Sequence, residues 1–382
     1  MATNRTVGVA GNHLTHALAL AYMVTNHTLG VDGIATIEEI DGASYTESLT
    51  LGGLAGTPSI TSYLQLVPSV AQQCKGVAGT GHAKLINTGL SAPVVTLNQS
   101  FTRIFGYEVE LDSTGVSDEA IRSNSGVTDS LISNCVVHTS RSGGSQDGIY
   151  LGNWAGSLTV DNTIVYGFHR SGIYGQNHSG TSAQTIYIDF CTVLECGATG
   201  STAASGIAGR ADDVGATVDI RVRCTYAGDN FVDYHTDVAG GDLGAVAWTG
   251  SHNGCSDTSL TTIGLTTGAQ ESLVVTATTQ PSGSYAVFNS ITGGTENYLL
   301  LDNSAGNLLY GNGLDLVSSK SDSRQDLSRD AAGNLRSTTS PAPDIGASEY
   351  AAVGGATIMN LVGSGGLVGP GMLAGNGGGL VG

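Results

Sequence analysis

Leu131-Ile-Ser-Asn-Cys-Val-Val, Leu158-Thr-Val-Asp-Asn-Thr-Ile-Val, Ile186-Tyr-Ile-Asp-Phe-Cys-Thr-Val-Leu and Val218-Asp-Ile-Arg-Val-Arg-Cys-Thr-Tyr are versions of one segment. Asn134 to Asn162 is 28 residues, Asn162 to Phe190 is 28, and Cys191 to Cys224 is 33. Between them recurs a second segment: Asp147-Gly-Ile-Tyr, Ser171-Gly-Ile-Tyr and Ser205-Gly-Ile-Ala. The unit is therefore strand, turn, strand, turn, and a period of this length with several short strands marks a solenoid, propeller or array. Propeller blades need about 40 residues and four strands, and a leucine-rich scaffold is absent. A single parallel β-helix fits, with each coil stacked on the last and polar or small residues laddered at equivalent positions. Asn134/Asn162 and Cys135/Thr163/Cys191/Cys224 are the expected ladders, and Tyr150 and Tyr174 are expected to stack across coils.

Working outward, residues 199–217 and 236–270 are rich in Gly, Ser and Thr and interrupt the period, so they read as loops projecting from the scaffold. Upstream, residues 13–24 place Leu14, Ala17, Leu18, Ala21 and Met23/Val24 near one helical face, with Asn12 as N-cap. This helix is expected to cover the open end of the solenoid core. Downstream, no charged residue follows Glu349, and Leu361-Val362, Leu367-Val368 and Leu373 recur six apart before Leu380. An apolar, Gly-rich segment of this kind packs closely against other chains, so it reads as an assembly tail. The expected divisions are a cap and first coil over 1–40, a β-helix over 41–350, and the tail over 351–382.

Composition agrees. Of 382 residues 57 are Gly, about twice the usual share, and charged residues are 12%, about half the usual share. That is poor material for helices. Fourteen Lys and Arg stand against 32 Asp and Glu, for a formal net charge of −18, a field that repels phosphate backbones and anionic membranes. Neither nucleic acid nor membrane is an expected partner. The six cysteines lack compact spacing and read as buried reduced thiols. Met1-Ala-Thr-Asn-Arg-Thr lacks the apolar run and small-residue cleavage site of a signal peptide, so no ordinary export route is expected.

Thr36-Ile-Glu-Glu-Ile-Asp-Gly-Ala-Ser-Tyr-Thr-Glu-Ser-Leu-Thr-Leu resembles the opening coil of right-handed parallel β-helix proteins of the pectate-lyase-like superfamily. Asp330-Ala-Ala-Gly-Asn-Leu-Arg followed by Pro343-Asp-Ile-Gly-Ala-Ser-Glu-Tyr350 is similar to the ending of many such proteins. The tail resembles C-terminal segments of phage structural proteins. Together these resemblances imply a phage virion structural protein, a capsid decoration or a tail spike or fibre component. It would assemble through the tail with copies of itself, as a trimer, and with other virion proteins, and leave the host by lysis.

The alternatives are a polysaccharide-degrading β-helix, such as a depolymerase tailspike, and a non-catalytic adhesin for a host-surface glycan. For the enzyme, Asp212, Asp213, Asp229, Asp233 and Asp237 form the densest acidic region, and coils about 4.8 Å apart bring carboxylates close to the spacing that glycoside hydrolysis needs. Asp219, Arg221 and Arg223 share a strand face and read as paired solvated charges. For the adhesin, Trp154 and Trp248 are the candidate sugar platforms. No phosphate-loop, dinucleotide or zinc-protease motif appears, so no cofactor and no metal are expected.

Overall fold

A computed structural model describes residues 3–265 except 80, 90, 113–117, 141–143, 153–155, 179, 181, 198–203 and 238–243. Beyond these it describes 273–274, 288–290, 297–300, 314–317, 319–332, 334–336, 344 and 346–347. The chain divides into two compact units, residues 1–350 and 351–382; the tail lies outside the described residues.

The first unit is a parallel right-handed β-solenoid of about eight turns, whose complete turns give one strand to each of three sheets. Crossovers between parallel strands take this hand because strands twist right-handedly. The first sheet holds nine strands from Thr3–Val7 to Ala245–Ser251, including Gly156–Asp161, Ala183–Asp189 and Thr217–Arg223. The second also holds nine, among them Lys84–Thr88, Glu108–Asp112 and Val136–Thr139. The third holds seven, including Val95–Leu97, Glu119–Ser123, Asp147–Gly152, Ser171–Asn177, Ser205–Ala211 and Tyr234–Thr236.

Alternation along each strand sends one residue in two inward. Equivalent inward residues then stack coil on coil: Ile104, Ile132, Val160, Ile188 and Val222 in the first sheet, and Val95, Ile121, Ile149, Ile173, Ile207 and Tyr234 in the third. All are fully or almost fully buried.

The Gly-Ile repeat has a packing cause. A Cβ at Gly172 would lie 2.4 Å from Val193 Cγ1 and 2.8 Å from the Gly206 carbonyl, so only glycine lets neighbouring coils approach here. Strands Ser205–Ala211 and Ala245–Ser251 therefore continue the sheets through stretches whose Gly content reads as loop. The glycines serve close packing, and the expected projecting loops over 199–217 and 236–270 are corrected to that extent.

The ladders exist with one shift. Cys135, Thr163, Cys191, Thr225 and Asn253 form the column at the turn from the first sheet to the second. The backbone N–H of Cys191 donates to Thr225 Oγ1 (3.2 Å) and that of Thr225 to Asn253 Oδ1 (3.1 Å). Cys224 belongs instead with Asn134, Asn162 and Phe190, all at φ between 45° and 55°. All six cysteines are free and buried.

The helix runs His16–Asn26, and its N-cap is Thr15, whose hydroxyl accepts from Leu18 N–H; Asn12 instead bonds Thr6. It buries His16, Ala19, Leu20 and Met23 and exposes Leu18, with Leu14 left exposed ahead of the cap, so the predicted face is rotated. The cause is polar: buried His16 donates or accepts at Glu47 (3.0 Å), Tyr107 (3.1 Å) and Glu39 (3.3 Å), and this pin fixes the helix azimuth. Among the described residues no helix is long and apolar enough to cross a membrane.

Residues 314–317, 319–332 and 334–336 form a strap over the turn column. Asn134 and Asn162 donate to the Asp330 and Asp326 carbonyls. The Arg336 guanidinium lies 3.8 Å over the Phe190 ring and donates to Asn162 Oδ1 at 2.8 Å.

Candidate functional site

Outward residues of the third sheet line a groove of about 520 Å³, with Asn98, Glu119, Arg122, Asn124, Tyr150, Arg170 and Gln176 among its walls. Arg122, Tyr150, Tyr174 and Ala208 occupy one column, and Gly152, Gln176 and Arg210 the next. Gly152 makes room for the Tyr150 ring, because a Cβ there would sit 2.3 Å from Cε1. Tyr150 and Tyr174 lie 5.8 Å apart, tilted by 32°.

A chain of side-chain contacts crosses these coils. Tyr150 Oη donates to Gln176 Oε1 (3.0 Å), and Gln176 Nε2 donates to Asp212 Oδ2 (2.9 Å). Asp212 also accepts from Arg210 Nε and meets His178 Nδ1. Arg210 reaches Asp237 Oδ2 at 3.5 Å, and Tyr174 Oη donates to the same oxygen at 3.2 Å. Arg170 clamps buried Asp147 and lies 4.8 Å over the Tyr174 ring, while Arg122 pairs with Glu119 at 2.6 Å. Three of the chain's fourteen cations, Arg122, Arg170 and Arg210, thus gather on one face of a protein carrying −18.

Burial, with Asp147 nearby, pushes the Tyr150 phenol up to about 12, so it stays protonated and is suited to donate. Burial raises the Tyr174 phenol too, with Asp237 adding to it. Burial raises the Glu119 carboxyl, and its bond to Arg122 offsets this only in part. For Asp212, burial works upward but the hydrogen bonds from Arg210 and Gln176 and the nearby His178 outweigh it, leaving its pKa lowered.

The predicted acidic cluster is divided by the structure. Asp212 and Asp237 meet at Arg210. Asp213 is exposed in a tight turn, and Asp229 sits at φ 55° in another. Asp233 is buried, accepting from Asn230, Ser256 and Asp257 as a turn clamp. A hydrolytic pair is not formed by these five, since the lowered Asp212 cannot serve as the acid and Asp237 is occupied by Tyr174 and Arg210. Glu119 and Asp147 face each other one coil apart, but each is held by an arginine and Asp147 is fully buried.

Trp154 lies outside the described residues. Trp248 packs partly buried against the core, edge-on to Tyr234 at 6.3 Å, and donates Nε1–H to Thr236 Oγ1 (2.9 Å). Its ring closes the last coils and is not a free sugar platform. Arg221 pairs with Asp219 as expected, whereas Arg223 turns to Asp189 on the preceding coil.

Among the described residues two groups of side chains have metal-ligand composition. In Glu108, Glu110 and His138 the Lys84 ammonium fills the cationic position, at 2.9 Å from Glu108. In Asp233, Cys255 and Asp257, burial holds the Cys255 thiol at about 12, so it is protonated, and Asp233 is already saturated with donors.

Arg122, Gln176, His178, Glu119 and Arg170 were not singled out by the sequence. The signal was present: Glu119-Ala-Ile-Arg aligns with Asp147-Gly-Ile-Tyr at the same 28-residue period, one coil before the repeat becomes conspicuous.

No family model matches the chain, and no curated protein matches it. Among solved structures it is similar to an alginate lyase from Paenibacillus sp. str. FPU-7, with a TM-score of 0.39 and 11% identity over 72% of this chain and 82% of that one. The functional reading of the groove rests on its own residues.

Proposed function

We propose that the groove of the third sheet binds an extended acidic polysaccharide and cleaves it by β-elimination. The observation that carries this reading is the joining of an arginine-lined groove to the Tyr150–Gln176–Asp212–His178 chain. A uronate bound there would have its carboxylate neutralised by Arg122, which acidifies the adjacent C5–H. His178, held at Nδ1 by Asp212, offers Nε2 as the base that takes this proton. The electron pair forms the C4–C5 double bond, the C4–O4 bond breaks, and Tyr150 gives its proton to O4. Solvent then reprotonates Tyr150 and takes the proton from His178.

Elimination fits better than hydrolysis because the groove supplies a protonated phenol and cations rather than two free carboxylates. The phage virion role, with the 361–382 tail joining copies into a trimer, is a separate proposal carried by the tail sequence; a glycan-cleaving spike would satisfy both. The test is incubation with polyuronates and neutral glucans, followed by mass spectrometry of the products. Unsaturated ends from polyuronates support elimination; saturated ends, or cleavage of neutral glucans alone, overturn it.

A further inference from the structure

A second cleft, of about 450 Å³, opens on the outer face of the first sheet, where Tyr187, Arg221 and Thr249 are register partners on successive coils. The strap forms its other wall through Lys320 and Ser321. We infer that this cleft is a second glycan site, taking a carboxylate-bearing sugar unit of the same polymer while the groove holds another stretch. The identity of the polymer rests on the groove reading; the anion selectivity of the cleft does not.

Three cations line the cleft in a strongly acidic chain. Arg223 is preorganised: Nε and Nη2 grip buried Asp189 at 2.8 Å each, and the strap fixes it through the Ser319 carbonyl (2.7 Å) and Ser321 Oγ (2.7 Å). Such a guanidinium loses little rotamer freedom when a ligand arrives. Arg221 is half-exposed, lies 5.1 Å over the Tyr187 ring, and meets Asp219 through Nε and Nη2, so Nη1 remains for a carboxylate. Lys320 adds a third charge at the rim, its ammonium donating to the Gln325 carbonyl, and exposed Thr249 a hydroxyl for the sugar ring.

The cleft and the groove lie on different faces of the same coils, since Ala183–Asp189 and Thr217–Arg223 alternate along the chain with Ser171–Asn177 and Ser205–Ala211. Two sites on one rigid body convert the second contact into an intramolecular event, which raises retention on a polymer without altering chemistry at the first.

The experiment is affinity electrophoresis of the full chain in gels containing polygalacturonate or dextran, with the double variant Arg221→Ala/Lys320→Ala beside Tyr187→Ser and the groove variant Arg122→Ala. Retardation in polygalacturonate is expected to weaken roughly tenfold in the double variant. Dextran should not retard any form. Product formation from short oligouronates by the two cleft variants should match the parent's, whereas Arg122→Ala should lose it, which separates loss of this cleft from loss of the groove. Should no uronate be cleaved by the parent, the groove reading fails while the retardation still reports on the cleft. Unchanged retardation of both cleft variants, or retardation lost only through Arg122→Ala, overturns the second site.

Discussion

Tyr150 carries the leaving-group step in the proposed reaction, and its hydroxyl is the smallest group whose removal tests it. Tyr150→Phe keeps the ring over Gly152 and is expected to lower kcat by about a hundredfold or more with KM little changed. A loss confined to KM would mean that the phenol only binds substrate. Of the residues in this chain, Asp212 was legible because acids crowd that stretch, and Tyr150 because it follows a repeated Gly-Ile dipeptide. His178 and Gln176 were not, since their roles arise only when strands 24 and 34 residues apart are laid side by side.

Asp161 gives a second residue-scale prediction. It is fully buried, neither carboxylate oxygen has a hydrogen-bond partner, and burial with Asp189 on the next coil lifts it to about 7; Ser133, Arg103 and Gln325 lie near and offset this only in part. A carboxyl raised above its unfolded value of about 3.9 contributes stability below that pH and loses it as pH climbs to about 7. Asp161→Asn should therefore stabilise the protein by on the order of 3 kcal/mol at pH 8 and by much less at pH 5, measured as Tm against pH. An equal effect at both values would contradict the buried charge.

At the scale of elements, the strap and the cap helix are fixed by single buried polar side chains. Arg336 donates to Asn162 Oδ1 and to the Gly346 and Ala347 carbonyls while stacking on Phe190. Arg336→Ala strands these acceptors and is expected to cost about 3 kcal/mol, with new proteolytic cleavage between 314 and 336. Unchanged Tm and protease resistance would show the strap to be held elsewhere. The cap helix explains why its face was misread: apolar spacing pointed to Leu14 and Leu18, but His16 between Glu39, Glu47 and Tyr107 outweighs two leucines left in water. The strands themselves were legible because alternation and the 28-residue repeat both follow from stacking. The glycines misled, because in this fold they mark close coil contact as well as turns.

For the whole molecule, the expected assembly role of the tail is tested by a chain ending at Tyr350. Light scattering should give trimers or larger species for the full chain and a folded monomer for the truncation; monomers in both cases would contradict tail-driven assembly. Since the proposed polymer contacts are arginines on an acidic body, retention is predicted to fall steeply with salt.

The most direct test of the central claim is a time course of unsaturated product from a panel of polyuronates, followed by ultraviolet absorbance, for the parent, Tyr150→Phe and His178→Gln. The third-sheet groove predicts steady product from the parent on at least one polyuronate and almost none from either variant, with both still retarded in polyuronate gels. Absence of product from every polyuronate, or equal rates in parent and variants, would contradict it.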